Sequence, residues 1–187
     1  MTLLKTERLI LRNWCEEDRP FFHRINSDDE IMEYFPFRRS RGEADAVMER
    51  IRDGIAQNGF GFAAAVLKET GQPIGFVGLH RPSGLANLPE GTVEIGWRLA
   101  PEFWGKGYVT EAARAWLAFG FEKLGFEEIV SFAVVDNERS TAVMRRIGMH
   151  HDPNGDFDHP GVPDSHPHLK SHVLYRLRRS DWRATQK

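Results

Sequence analysis

The stretch that most restricts how this chain can fold is TVEIGWRLAPEFWGKGYVTEAARAWLAFGFEKLG, residues 92–125. Its first nine residues alternate as a strand does, and Pro101 stops them. Gly105 and Gly107 flank Lys106. Tyr108, Val109 and Thr110 then lead into a segment where Ala112, Ala113, Trp116, Leu117, Phe119, Phe121 and Leu124 recur on a helical period. The order is strand, proline turn, glycine loop, helix. The first amides of a helix have no internal partner and carry the positive end of its dipole, and glycines let a ligand approach the backbone there. The stretch therefore reads as an anion site, most often one for phosphate. A plain turn that uses glycine only for its backbone freedom is the other reading. Two phosphate motifs fail: Lys106 is followed by Gly107, not by Ser or Thr as in a P-loop, and Thr110 stands where a dinucleotide fingerprint needs Gly or Ala.

Length and charge narrow the setting. The chain has 187 residues, enough for one domain with a real core, and residues 1–187 are expected to form one domain. A net charge of −2 offers no electrostatic case for nucleic acid or an anionic membrane. A single cysteine, Cys15, forms no internal disulfide and suits a reducing cytoplasm. The apolar run FGFAAAVL at 60–67 is too short to span a bilayer, and the first residues lack a signal-peptide core. A cytoplasmic location is the expectation.

Along the chain, residues 8–13 alternate and read as a first strand, and a helix is expected to start near Glu16. The aromatic, proline-bearing stretch at 34–40 reads as a loop. Ser40 with Glu43 forms a capping box that opens a helix over about 41–57, closed by Asn58 and Gly59. FGFAAAVLK and QPIGFVGLH, joined by ETGQ, form a hairpin. Residues 127–135 read as a strand, Asp136 and Asn137 as caps of a short helix ending at Gly148, residues 150–169 as a long loop, and SHVLYRLRR as the last strand. This is a mixed α/β pattern with a hairpin-rich first half, which argues against an all-parallel sheet.

Four segments together, TERLILR, EIGWRLAPEFWGKGYVTEA, VDNERSTAVMRRIGM and HVLYRL, resemble the GNAT superfamily of acetyl-CoA-dependent N-acetyltransferases, over nearly the whole chain. They look most like the RimJ/RimL-like branch, which holds ribosomal-protein N-terminal acetyltransferases. The resemblance implies an α+β fold, with a central, mostly antiparallel twisted sheet splayed at the coenzyme site and flanked by helices. It implies acetyl-CoA as co-substrate, no metal, and acetyl transfer to a primary amine. The acceptor would be a protein N-terminal α-amine, or a small molecule such as a polyamine, amino acid or drug. A non-catalytic acyl-CoA-binding module is the alternative. The acceptor amine is the only partner implied, for a monomer or homodimer.

Carried over residue by residue, the family's pyrophosphate loop falls on Trp104, Gly105, Lys106, Gly107, Tyr108, Val109 and Thr110. Trp104 and Val109 depart from the superfamily pattern, although Trp104 is common in the RimJ/RimL-like branch. The pantetheine arm would pair with the backbone of Trp97, Arg98 and Leu99 as an added strand. Asn137 would bind the same arm. Many relatives carry a tyrosine acid seven residues after that asparagine; here Met144 stands there, and Ser140 is the family-based replacement. Ser140 also reads simply as a helix-start serine.

For a base, Glu94 is the first candidate and His80 the second; each also reads as a structural strand residue. Alternation puts Glu94 and Gly96 on one face and Val93, Ile95 and Trp97 on the other. Tyr34 and Phe35 are expected to form one rim of the acceptor cleft or else to fill a core, with Phe35 and Phe37 equally consistent with packing, and Tyr175 to orient substrate or merely to pack. Six of the eight histidines fall between 150 and 172, but with no zinc-type spacing they read as a substrate-rim loop.

Overall fold

The computed structural model describes residues 1–184. Nine strands form one sheet: β1 Thr2–Lys5, β2 Leu9–Arg12, β3 Phe62–Leu67, β4 Pro73–His80, β5 Glu94–Leu99, β6 Glu128–Val134, β7 His150–His151, β8 Phe157–Asp158 and β9 Ser171–Arg178. Five α-helices accompany them: α1 Arg19–Ser27, α2 Arg41–Asn58, α3 Tyr108–Glu122, α4 Glu138–Arg146 and α5 Arg179–Ala184. The strand order is β1-β2-β3-β4-β5-β6-β9-β7, with β8 also on β9. Every pairing is antiparallel except β5 with β6. That exception follows from α3, because parallel neighbours need a long crossover.

The local signals act as expected where they are strong. The Ser40 hydroxyl accepts the Glu43 amide, the Glu43 carboxylate accepts the Ser40 amide, and α2 ends at Gly59 in the left-handed region. Asn137 caps α4 by accepting the Ser140 amide. The β3–β4 hairpin forms with Ala64 opposite Phe76. Gly78 lets its strand lie this close: a Cβ there would sit 1.8 Å from the Gly61 carbonyl oxygen.

Two expectations change. The strand at residues 8–13 is the second one, since TLLK forms β1 at the sheet edge against it. The loop at 150–169 also contains β7 and β8, two short strands pinned to β9. Four residues or fewer carry too little periodicity to be read before their partner is known.

The apolar side of α3, with Trp116, Leu117 and Phe121, is buried in the main core. A Cβ on Gly120 would touch Leu79 and Ile129, which marks the face of the sheet that α3 covers. Alternation then puts Phe76, His80, Glu94, Gly96 and Arg98 on the opposite face, toward α1 and the loop before α2. No helix among the described residues is long and apolar enough to cross a membrane.

Candidate active site

β5 pairs with β4 along its whole length but meets β6 at only one position, Glu94 opposite Val130. Just beyond it the Ser131 hydroxyl donates to the Ile95 carbonyl at 2.8 Å, and then the two strands part. A cleft of about 1240 Å³ occupies the fork and extends to both faces of the sheet. The Val93 carbonyl accepts from Val130, so strand parity turns the backbone groups of residues 93, 95, 97 and 99 toward the fork. The Leu99 carbonyl already accepts the Trp104 indole N–H at 2.8 Å. Trp97 is left with its main chain free there. This corrects the expectation for Arg98, whose backbone faces β4 opposite Phe76.

At one end of the cleft lie Gly105, Gly107, Tyr108, Val109 and Thr110. Gly107 caps α3 with φ 79°, a value other residues rarely adopt. The first helical hydrogen bond runs from Glu111 to Gly107, so the amides of Tyr108, Val109 and Thr110 precede it and have no helical acceptor. Arg8 clamps this corner. Its Nε donates to Glu111 at 2.6 Å, its Nη1 to the Lys106 carbonyl at 3.0 Å, and its guanidinium lies 4.5 Å from the Tyr108 ring centre. Arg114 and Arg146 line the same end, where Arg146 donates to the Thr110 hydroxyl at 3.4 Å. Lys106 does not line the cleft; its ammonium lies over Phe103 instead. Trp104 carries Arg139 on its ring face at 4.1 Å.

Glu94 and His80 are cross-strand partners on the face away from α3. The Glu94 carboxylate lies against Gly96 and is half-buried, with no hydrogen bond or ion pair to another described residue. Burial pushes its pKa up to about 8. The His80 ring lies tilted against Phe62, with ring centres 5.0 Å apart, and burial lowers its pKa. Tyr34 and Phe35 line the cleft from the loop before α2, and the Tyr34 hydroxyl donates to the Asp136 carbonyl at 3.2 Å. Ser140 lines it from the first turn of α4, its hydroxyl without a partner among the described residues.

Tyr175 does not line the cleft. It is buried on the other face of β9, where its hydroxyl accepts from Arg145 at 3.1 Å and its ring stacks on His151. Of its two readings the substrate role falls and packing stands, and parity gives the reason: His172, two strands from β5, faces the cleft, and Tyr175 lies an odd number of residues away. His159 and His172 form part of the rim with ring centres 5.0 Å apart, beside Phe132 and Phe157. Among the described residues no three His, Cys, Asp or Glu side chains gather as a metal would need.

A parallel pair that forks, a glycine-capped helix start at one end and an unpaired carboxylate on the wall form one arrangement. Residues 8–150 match the model of the acetyltransferase (GNAT) domain. The chain belongs to the GNAT family. Relatives extend the match to almost the full length. The FsC-acetyl coenzyme A-N(2)-transacetylase of Aspergillus fumigatus is 30% identical over 193 residues, which cover 98% of this chain and 79% of that protein. A solved acetyltransferase from Agrobacterium tumefaciens has a TM-score of 0.72 at 30% identity, covering 94% of this chain and 93% of its own. The spermidine N-acetyltransferase of Vibrio cholerae, solved with CoA and spermine, has a TM-score of 0.72 over 94% of this chain and 98% of its own. At 19% identity that likeness is one of fold.

This GNAT chain is thus an acetyl-CoA-dependent acyltransferase. Its residues fit the coenzyme. The free main chain of Trp97 can pair with an amide-bearing arm, and the amides at 108–110 with Arg8, Arg114 and Arg146 can meet phosphates. Asn137 uses its side-chain oxygen on the Ser140 amide and keeps its NH2 group to donate. Five cleft arginines escape a reading of the sequence: Arg8, which lies within TERLILR, Arg39, beside the aromatic loop before α2, and Arg114, Arg139 and Arg146 on α3 and α4. A surface arginine has no local signature of the ring or loop that it will cover.

Proposed function

We propose that the protein transfers the acetyl group of acetyl-CoA to an α-amino group, the acceptor implied by its resemblance to the RimJ/RimL-like branch. The observation that carries the reading is Glu94: a carboxylate on the cleft wall at the fork, without a partner, raised to about 8. The acetylating chemistry comes from the coenzyme's thioester when it is bound. The chain's own tasks are to grip the coenzyme, to hold the acceptor and to take its proton.

The grip falls to Trp97, Asn137, the amides of 108–110 and the arginines around them. Glu94 takes the proton. A free α-amino group has a pKa of about 7.7–8.0, whereas a lysine side chain lies near 10.4, so near neutral pH part of the first is already a nucleophile and almost none of the second is. A single carboxylate that titrates near the working pH is base enough for the first, so the site suits an α-amine. The Ser140 hydroxyl offers a donor to negative charge developing near the start of α4, where the helix dipole has the same sign of effect.

The charge of the cleft also disfavours a polycation. Its lining has only two carboxylates among the described residues, Glu94 and Glu111, and Glu111 is tied to Thr6 and Arg8. Of the six arginines that line it, Arg8, Arg114 and Arg146 stand at the glycine loop and Arg139 on Trp104, which leaves Arg39 and Arg98 on the acceptor side.

The test is a peptide with a free N-terminus and an internal lysine, acetylated at neutral pH and fragmented by mass spectrometry. The label is expected on the N-terminus. Label mainly on the lysine would refute the α-amine assignment.

A further inference from the structure

Arg98 and Arg39 stand together on the acceptor side of the cleft, and neither has a carboxylate partner among the described residues. Arg98 lies between two rings, 4.4 Å from the centre of Phe35 and 5.2 Å from that of Phe76. Its Nη1 donates to the Asn26 side chain at 2.7 Å and to the Ile25 carbonyl at 3.4 Å, but its Nε is buried without any acceptor. Arg39 lies 4.5 Å from the Phe37 ring centre, and its Nε is likewise buried without an acceptor. Asn26 links the pair, since its backbone carbonyl accepts the Arg39 amide at 2.9 Å.

The charges nearby make this arrangement costly without a ligand. Burial lowers the pKa of Arg98, and the charge of Arg39 lowers it further. Burial also lowers that of Arg39, where Arg50 adds to the positive field. Glu43 is the acid that acts on Arg39, yet its carboxylate is engaged by the amide and hydroxyl of Ser40. Buried donors without acceptors are rare in folded proteins, and like charges are seldom held together unless something negative joins them. A guanidinium flattened against a ring keeps its edge free, and that edge matches a planar carboxylate with two parallel hydrogen bonds.

We propose that the acceptor amine carries a carboxylate, and that Arg98 and Arg39 bind it while the amine reaches Glu94. This rests on the acetyltransferase reading above and names its substrate class. Arg98 and Glu94 lie on the same face of β5, four residues or about 13 Å of strand apart. Amine and anion of one small molecule are thus held at opposite ends of a short path along the strand. The carboxylate can be the terminal one of a short peptide, or the side chain of an acidic residue near a longer peptide's N-terminus.

Two matched pairs of probes test this with acetyl-CoA. The first pair is glycylglycine and glycylglycinamide. The second is a C-terminally amidated hexapeptide with Asp at its second position, and the same peptide with Asn there. The expected result is a kcat/KM roughly tenfold higher for the acid within at least one pair, a gain of the size a charged hydrogen bond gives. A preference in the first pair assigns a terminal carboxylate, and one in the second a side chain. Arg98→Met, which keeps apolar bulk between the rings, should erase the preference, and Arg98→Lys should restore part of it. Arg39→Met should reduce it even if Arg98→Met does not fold. Equal rates within both pairs, or a preference for the amides, would overturn the carboxylate site and leave the acetyltransferase reading standing. No transfer to any of the four probes would remove the carboxylate site and the α-amine acceptor together.

Discussion

The two ends of the cleft are built by different means. At the glycine-loop end, where the coenzyme is proposed to bind, the free groups are main-chain amides, and the charged side chains there have partners: Arg8 with Glu111, Arg146 with Thr110, Arg139 with Glu33. At the acceptor end the key groups lack partners: the Glu94 carboxylate, and the Nε atoms of Arg98 and Arg39. A site made of amides tolerates changes of side chain, as Trp104 and Val109 illustrate within a loop that keeps its glycines. A site made of unpaired side chains stores its specificity in the groups it leaves unsatisfied, and those are completed by a substrate. One fold can therefore keep its coenzyme and change its acceptor.

The sharpest way to separate the two ends is Glu94→Gln. A positioned base contributes roughly 100- to 10,000-fold, so kcat should fall by about that range while coenzyme affinity holds. The pH profile adds a sign. The carboxylate of Glu94 is raised to about 8, so its base form, and kcat/KM with it, should grow as pH rises toward 8 and then level off. In Glu94→Gln the part of that rise owed to the carboxylate should vanish, leaving only the ionisation of the amine. Wild-type kcat in the variant would move the base elsewhere, with His80 next in line.

Gly107→Glu strikes the other end. The space beside Gly107 is open, since a Cβ there would meet only Arg8 Nη2, at 3.5 Å, but its φ of 79° is not open to a side chain. Backbone strain and a negative charge at the anion cradle should weaken coenzyme binding roughly 10- to 100-fold. Calorimetry on the folded variant reads the change; unchanged affinity would take the phosphates away from this loop.

Ser140→Ala tests the seam between the two ends. A hydrogen bond to developing charge is worth about 1.5–3 kcal/mol, so kcat should fall roughly ten- to a hundredfold with coenzyme affinity little changed. A kcat near wild type would reduce Ser140 to its place in the first turn of α4.

The glycine loop and the helix starts at Gly107 and Asn137 were legible in advance because their signals are local. A glycine pair before a helical period, a proline after an alternating strand and an asparagine before a helix each act within a few residues. The acceptor end was legible only as residue types. Glu94 and His80 were named as candidates, but that they face each other depends on the β4–β5 register. Tyr175 stayed open between orienting substrate and packing because the face it takes depends on how β9 meets β6, which pairs Tyr175 with Ser131.

From its sequence alone this chain determines its caps, its β3–β4 hairpin, its strand-to-helix crossover and the backbone cradle at Gly107. All of these are fixed by interactions between residues close in the chain. The tertiary structure decides where β5 and β6 fork, which side of β9 faces the cleft, and which charges find no partner. Arg39, Arg98 and Asn26 come from separate segments, and Glu94 is unpaired only because nothing from any other described element reaches it. The absence of a partner is a property of the whole packed molecule, since every neighbour must be in place before a group can be left without one.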